Sequence, residues 1–283
     1  MKSPHRLCVA KRSHRVSDLL PEILKLRSTF KQYFEIVPAL SDALKDEVFR
    51  IRHQVYCEDL AFEPRRLDKR ESDEFDVQSL HLLIRSVRTH QFIGCTRIIR
   101  VRPDDPQQLL PFERSCAETI DRSIVDPARL TRSSIAEVSR LAVISPYRRR
   151  KGESKTALSM SDTDFVMIGH PRFPFIPVAL YLGTVELARL HGIETLFVLT
   201  EPRLASHFKR LGVEIQTIGA TVEHRGRRIP SMMSTSAILK NLRMIFRPLY
   251  RTIAKEVAAG LTDTSARVTL ERSDSVLQTG VTK

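Results

Sequence analysis

An α/β fold around a mixed β-sheet is what this sequence predicts, and three observations predict it. Apolar positions alternate along the chain between helical and strand periods, in the order helix, hairpin, strand, helix, strand, helix, strand. Hydrophobic residues make up 42% of 283 residues, enough for a sizeable core in one domain with extensions. No internal repeat is visible that would point to a solenoid or propeller instead.

The elements follow in order. Residues 1–29 are basic and weakly patterned, an extension that is partly helical around Leu19 to Leu26. Ser41 is a good N-cap and Asp42 suits the positive end of a helix; Leu44, Val48, Ile51 and Val55 then follow at helical spacing. That helix ends near Leu60, and a polar loop runs from Glu63 to Asp76. Leu80 to Val87 and Phe92 to Val101, separated by a short polar turn, read as a hairpin. Residues 103–134 are polar and contain proline, and Ile135 to Ile144 is another strand. Tyr147 to Gly152, YRRRKG, is a basic loop, and residues 153–177 carry no clear period and read as an irregular insertion. Val178 to His191 is a buried helix with Glu186 and Arg189 as its exposed stripe, ended by Gly192. Thr195 to Thr200 is a core strand. Pro202 opens a short helix with Leu204, Phe208 and Leu211, and Val213 to Ile218 reads as the last strand. Residues 236–258 form a basic amphipathic segment, helical from Ile238 to Val257 with a break at Pro248, and 259–283 read as a disordered tail.

The formal net charge is +13, which favours an acidic partner: nucleic acid, an anionic membrane or an acidic carrier protein. Five Tyr, no Trp and no recognition helix argue against nucleic acid. Cys8, Cys57, Cys95 and Cys116 form no CxxC pair and have no histidine cluster beside them, so no metal site is expected and free thiols in a reducing compartment are. The basic N-terminus lacks the apolar core of a signal peptide, and no apolar run approaches the ~20 residues of a spanning helix. A cytoplasmic location is expected.

Charged residues inside apolar elements are the most informative feature. Arg52 lies beside the stripe of the first helix; Glu71, Asp73 and Asp76 crowd the next loop; Arg97 lies inside a strand, as do Glu137 and Arg140. Such groups are costly unless paired. They read either as a structural ion-pair cluster or as a site.

The spacing of these residues resembles a family. Arg52, Val55 and Tyr56, with Phe62 six further on, are followed by E-x-D-x-x-D at Glu71, Asp73 and Asp76, G-x-x-R at Gly94 and Arg97, and EVSRLA from Glu137 to Ala142. In this order they are similar to the acyl-homoserine-lactone synthases, which have the Gcn5-related N-acetyltransferase (GNAT) fold. Those synthases usually carry Trp where Phe62 stands. The later stretch, with EPRLASHFKRLG and HRGRRIP, resembles the acyltransferases associated with PEP-CTERM/exosortase systems and the long-chain N-acyl amino acid synthases. The resemblance covers residues 30–235. It implies a twisted, mostly antiparallel sheet flanked by helices, and acyl transfer to a small amine such as an amino acid. Acyl carrier protein or acyl-coenzyme A would be the cosubstrate, with no tightly bound cofactor.

The resemblance also implies roles. Glu137 is the expected general base, with Arg97, Arg140 and Tyr147 also at the reacting centre and Tyr147 as proton donor to the leaving thiol. Arg52, Tyr56, Phe62, Glu71, Asp73 and Asp76 are expected on the acceptor side. Leu141, Ala142 and Val143 would hold the thioester, and Arg148, Arg149, Arg150 and Gly152 its phosphate arm. Glu153 is unwelcome beside a phosphate, which favours the carrier protein as donor. Glu137 and Arg140, three apart, fall on opposite faces of a regular strand unless a bulge intervenes. The basic C-terminal helix, with Leu239, Leu242, Ile245, Phe246 and Leu249, suits either a peripheral membrane contact or packing on its own domain. The rival readings are an acetyl-coenzyme-A-dependent N-acetyltransferase, a true acyl-homoserine-lactone synthase, and a non-catalytic binding module on the same fold.

Overall fold

Eight strands make one sheet: β1 (Phe34–Pro38), β2 (Ser79–Ser86), β3 (Phe92–Arg100), β4 (Ile135–Val143), β5 (Thr195–Thr200), β6 (Gln216–Thr217), β7 (Val222–Glu223) and β8 (Arg227–Ser234). They belong to a computed structural model that describes residues 16–148, 174–201, 208 and 212–262, with side chains from residue 25 onward. The sheet order is β1-β2-β3-β4-β5-β8-β6, with β7 also on β8, and every pairing is antiparallel except β4 with β5.

Helices cover both faces. On one lies α2 (Asp42–Arg52), capped by Ser41, whose hydroxyl accepts the Leu44 N–H. Its Phe49 meets the ring of His81 on β2 edge-on, and its Val48 carbonyl lies 4.0 Å from Cys95 Sγ on β3. On the other face lies α5 (Phe175–Leu190), apolar almost all round and buried from Phe175 to Ala188. Helix α1 (Val16–Tyr33), the short α3 (Pro111–Ser115), α4 (Ser145–Arg148), α6 (Thr235–Asn241) and α7 (247–262) complete the layers. One core joins Leu26 and Phe30 of α1, the α5 residues, and Leu249, Ile253 and Val257 of α7.

Gly94 on β3 is required by close approach. A Cβ there would stand 2.9 Å from the Ala142 carbonyl oxygen and 3.3 Å from Leu180 Cδ1, between β4 and α5. Backbone cannot yield as a side chain can, so Gly94→Ala should lower stability by about 1–3 kcal/mol. Urea denaturation of the variant checks it.

The structure corrects several expectations. The strand β1 lies where the sequence suggested no element. The last strand of the chain is the long β8, which pairs with β5, not 213–218, where only Gln216 and Thr217 form a short edge strand on β8. Helix α5 starts at Phe175, inside the expected insertion, because Pro177 fits a first helical turn that needs no N–H. Glu186 is 2% exposed rather than on an open stripe, since Tyr250 of α7 and Arg189 both donate to it. Pro248 does not break one long helix: α6 ends at Asn241 and α7 begins beside the proline. Leu242, Ile245, Phe246 and Leu249 are buried against the domain, so that apolar face is already covered and is not the membrane contact considered above. Of the extension expected at 1–29, residues 16–29 belong to α1, which packs into the core through Leu26 and Phe30, and residues 1–15 lie outside the described residues. The short helix after Pro202 falls mostly outside the described residues, as do the tail beyond residue 262 and Cys8; Phe208 is described and packs its ring 4.3 Å from that of Tyr181. Among the described residues no helix is long and apolar enough to cross a membrane.

Candidate active site

Arg52 ends α2, and the chain continues as a π-helical turn, His53–Asp59. Wide turns of this kind re-aim side chains and recur at functional sites. Arg52 is wholly buried, with Nε donating to Glu71 and Nη1 donating to Asp76 Oδ1 at 2.6 Å. Arg97 from β3 donates through Nη1 to Asp73 Oδ1 at 2.6 Å and Asp76 Oδ1 at 2.9 Å, and through Nε to the Ser139 hydroxyl at 3.1 Å. Arg140 donates to Glu71 Oε1 at 3.1 Å and Asp73 Oδ2 at 3.2 Å. Three arginines thus meet three carboxylates, and the buried charges cancel.

Local structure explains the E-x-D-x-x-D spacing. Asp73 caps a 3₁₀ turn, Glu74–Gln78, by accepting the Phe75 N–H, while Asp76 reaches back to accept the Asp73 N–H at 2.7 Å. Both carboxylates are therefore fixed before they meet an arginine. Burial alone would raise Glu71 and Asp76, but Arg52 and its neighbours outweigh it, holding Glu71 below its usual range and Asp76 at about 2. His81 faces the same network with Nε2 3.7 Å from Asp76 and no hydrogen bond on either nitrogen; burial pushes it down to about 4, so it is neutral.

The bulge that the sequence left open is present. Arg140 has φ of +54°, and the β3–β4 register shifts between Cys95 and Arg97. Glu137 and Ser139 share the α2 face of β4, and the bulge turns Arg140 to that face as well. Glu137 lies in register between Ile99 and Phe197, and its Oε2 accepts the Phe112 N–H at 2.7 Å. The Phe112 and Phe197 rings stack 4.3 Å apart beside it. Burial pushes its pKa up to about 7, against the opposing pull of the Phe112 N–H, Arg97 and Arg140. A carboxyl group poised there exchanges protons near neutral pH.

The strands separate at this place. β4 pairs with β5 only from Ile135 to Val138, yet β4 runs on to Val143. The edge of 139–143 that faces β5 is therefore outside the ladder. Leu141 is half-buried there, and its carbonyl accepts the Tyr56 hydroxyl at 3.0 Å; Ala142 and Val143 are buried. Tyr56 also lies under the Arg140 guanidinium, 5.7 Å from ring centre, and burial pushes its pKa up to about 12. Phe62 is half-buried, packs on the main core and donates its N–H to the Tyr56 carbonyl.

The basic loop differs from expectation where it is described. Arg148 is buried, not presented to a phosphate: it donates to the Val143 carbonyl at 3.1 Å and to Asp59 at 3.0 Å, tying the end of β4 to the π-helical turn. Tyr147 is 37% exposed just beyond β4, and the ion-pair network does not include it. Arg149, Arg150 and Gly152 lie outside the described residues.

Three residues join the site that the sequence reading did not select. Ser139 sits inside the EVSR motif, which was its only signal. Glu63 lies 3.5 Å from Arg140 and accepts from Arg225, which stands in the turn between β7 and β8. No spacing links those two in sequence.

Residues 51–157 match the family model described as an acetyltransferase (GNAT) domain. Among solved structures, TofI in a ternary complex with an inhibitor and MTA is 18% identical with a TM-score of 0.50, over 72% of this chain and 95% of that one. The AHL synthase LasI is 18% identical with a TM-score of 0.50, over 75% of this chain and 96% of that one. FeeM, an N-acyl amino acid synthase from uncultured soil microbes, is 14% identical with a TM-score of 0.48, over 75% and 96%. No curated protein matches the chain significantly. The likenesses to TofI and LasI establish a shared fold, and with the GNAT domain match over residues 51–157 the expected architecture holds: a mixed α/β, GNAT-like fold with a mostly antiparallel sheet flanked by helices.

Proposed function

We propose that the protein transfers an acyl group from a thioester of acyl carrier protein or coenzyme A to the amine of a small acceptor. The observation that supports it is the placement of Glu137, with a pKa near 7, on the strand that leaves its partner one residue later. Glu137 takes the proton that the acceptor amine must lose, and the amine nitrogen then attacks the thioester carbonyl carbon. The C–N bond forms, the C–S bond breaks, and the proton returns to the departing sulfur. The unpaired edge of 139–143 offers backbone N–H groups to the developing oxyanion. The network of Arg52, Arg97 and Arg140 with Glu71, Asp73 and Asp76 holds the bulge, and with it that edge, in place.

The test is mass spectrometry of the reaction between purified protein, a matched pair of long-chain acyl-carrier-protein and acyl-coenzyme-A donors, and a set of amino acids and simple amines, with acetyl-coenzyme A as donor and S-adenosylmethionine as acceptor run in parallel. An N-acyl product is expected. Acetyl transfer alone, lactone formation requiring S-adenosylmethionine, or no transfer to any amine would each replace this reading with one of its rivals. With a net charge of +13, kcat/KM for the acidic carrier donor should fall as salt rises, since exposed charges are screened beyond ~8 Å at physiological ionic strength. The same salt series with the coenzyme A donor checks it: equal sensitivity in both removes the preference for the carrier.

A further inference from the structure

Resting on the reading just given, we infer that Arg225 is a specificity-determining residue that selects an acceptor bearing a carboxylate beside its amine, that is, a zwitterionic amino acid rather than a plain amine or an amide. The placement of this residue is unusual. Its backbone lies in the turn between β7 and β8, and in the sheet β8 is separated from β4 by β5. Its guanidinium nevertheless reaches Glu63, which in turn lies 3.5 Å from Arg140 at the β4 bulge. The contact therefore links the β7–β8 turn to the part of β4 that has left its pairing with β5.

The turn is built to hold that reach. Arg225 and Gly226 both have positive φ, at 52° and 97°, and Arg228 braces the turn by donating to the carbonyls of His224 and Arg225 while pairing with Glu201 at 2.7 Å. A non-glycine residue in the left-handed region is uncommon and marks a position fixed by its surroundings.

Exposure separates this bridge from the rest of the network. The side chains of Arg52, Glu71, Asp76 and Arg97 are at most 6% exposed, and are locked to one another. Arg225, Glu63, Arg140 and Asp73 are 27%, 20%, 13% and 25% exposed, and alternate in sign. A zwitterion entering there can exchange partners without leaving a charge unpaired. Its carboxylate takes the place of Glu63 on Arg225, and Glu63 keeps Arg140. Its ammonium meets Asp73 or Glu63 on the way to Glu137. A plain amine brings no anion, so Arg225 stays on Glu63 and gains nothing from the acceptor, and an amide would offer it only a neutral acceptor.

The experiment compares three acceptors with one side chain: the amino acid, its carboxamide and its decarboxylated amine, all with the same acyl thioester. The native chain should favour the amino acid by about 10- to 100-fold in kcat/KM, the worth of one charge-assisted hydrogen bond. Arg225→Met should bring that ratio close to one, mainly through KM for the amino acid. Arg225→Lys should keep part of the preference. Equal use of all three acceptors by the native chain overturns the inference while leaving amine acylation standing. So does an Arg225→Met variant that loses turnover equally on all three. No acylation of any of them by the native chain would instead overturn the proposed function itself.

Discussion

Glu137→Gln is expected to lower kcat/KM for acyl transfer by about 10²–10⁴-fold while leaving the fold intact. The glutamine carbonyl can still accept the Phe112 N–H, so the hydrogen bond that positions the side chain survives. What is lost is a group that can take a proton. In the native chain the rate should rise with pH through an apparent pKa near 7, as burial sets it, and the variant should show no such limb. Stability should move the other way. A carboxyl group whose folded pKa is raised favours the folded state most below its unfolded pKa of ~4.3, and that contribution is lost as pH rises through about 7. The neutral glutamine has no such loss, so the variant should melt at or above the native temperature at pH 8. A pH–rate profile with melting curves at pH 5 and 8 checks both halves. Near-native turnover in the variant would remove Glu137 from the reaction.

Much of the fold was legible because its central elements are regular. The cap at Ser41, the alternating runs of β2 and β3, and the apolar strands β4 and β5 each carry a period or a stop signal that survives without tertiary context. The misses have physical causes. β8 reads RRIPSMMS, with two arginines and a proline in a strand that is central to one end of the sheet. Proline is admitted there because its carbonyl, not an N–H, makes the bond to Ile218. β1 is five residues long, directly after a helix, too short to show a period. Glu186 looked exposed because a charged residue on a buried helix has no sequence signal for the Tyr250 hydroxyl that meets it from α7.

The site divides in the same way. The arginines and carboxylates of the network were visible as charges on apolar elements, and the structure brings Arg52, Glu71, Asp73, Asp76, Arg97 and Arg140 into contact. Glu137 was visible too, though not that it would lie against aromatic rings rather than in the ion pairs. Arg148 was not separable from its neighbours, since a run of like charges does not say which member turns inward. Glu63 and Arg225 meet across 162 residues, through a turn whose shape only the assembled sheet determines.

Arg52→Met is expected to destabilise the protein by about 3–5 kcal/mol, the cost of leaving buried carboxylates without their main partner. Among the described residues Arg52 is the one arginine that is wholly buried, and it bridges Glu71 and Asp76 from the end of α2. Without it, Asp76 retains Arg97 and Glu71 retains Arg140, each now set against two carboxylate groups with too little positive charge. The pH dependence distinguishes this cause from lost packing. In the native chain Glu71 and Asp76 have lowered folded pKa values, so their stabilisation is present above ~pH 4 and is lost as pH falls towards about 2. In the variant those pKa values rise, and protonation at pH 4–5 relieves the unpaired charge. The gap between native and variant in urea denaturation should therefore be widest at pH 7 and narrow as pH falls. Arg52→Met with Glu71→Leu should recover part of the loss, because removing both members of a buried pair leaves no orphan. Asp73→Asn, at a carboxylate 25% exposed, should cost less stability than Arg52→Met and more activity than its small destabilisation explains. A gap for Arg52→Met that stays constant with pH would show that the side chain acts by filling space, and the ion-pair network would lose its role in holding the bulge of β4.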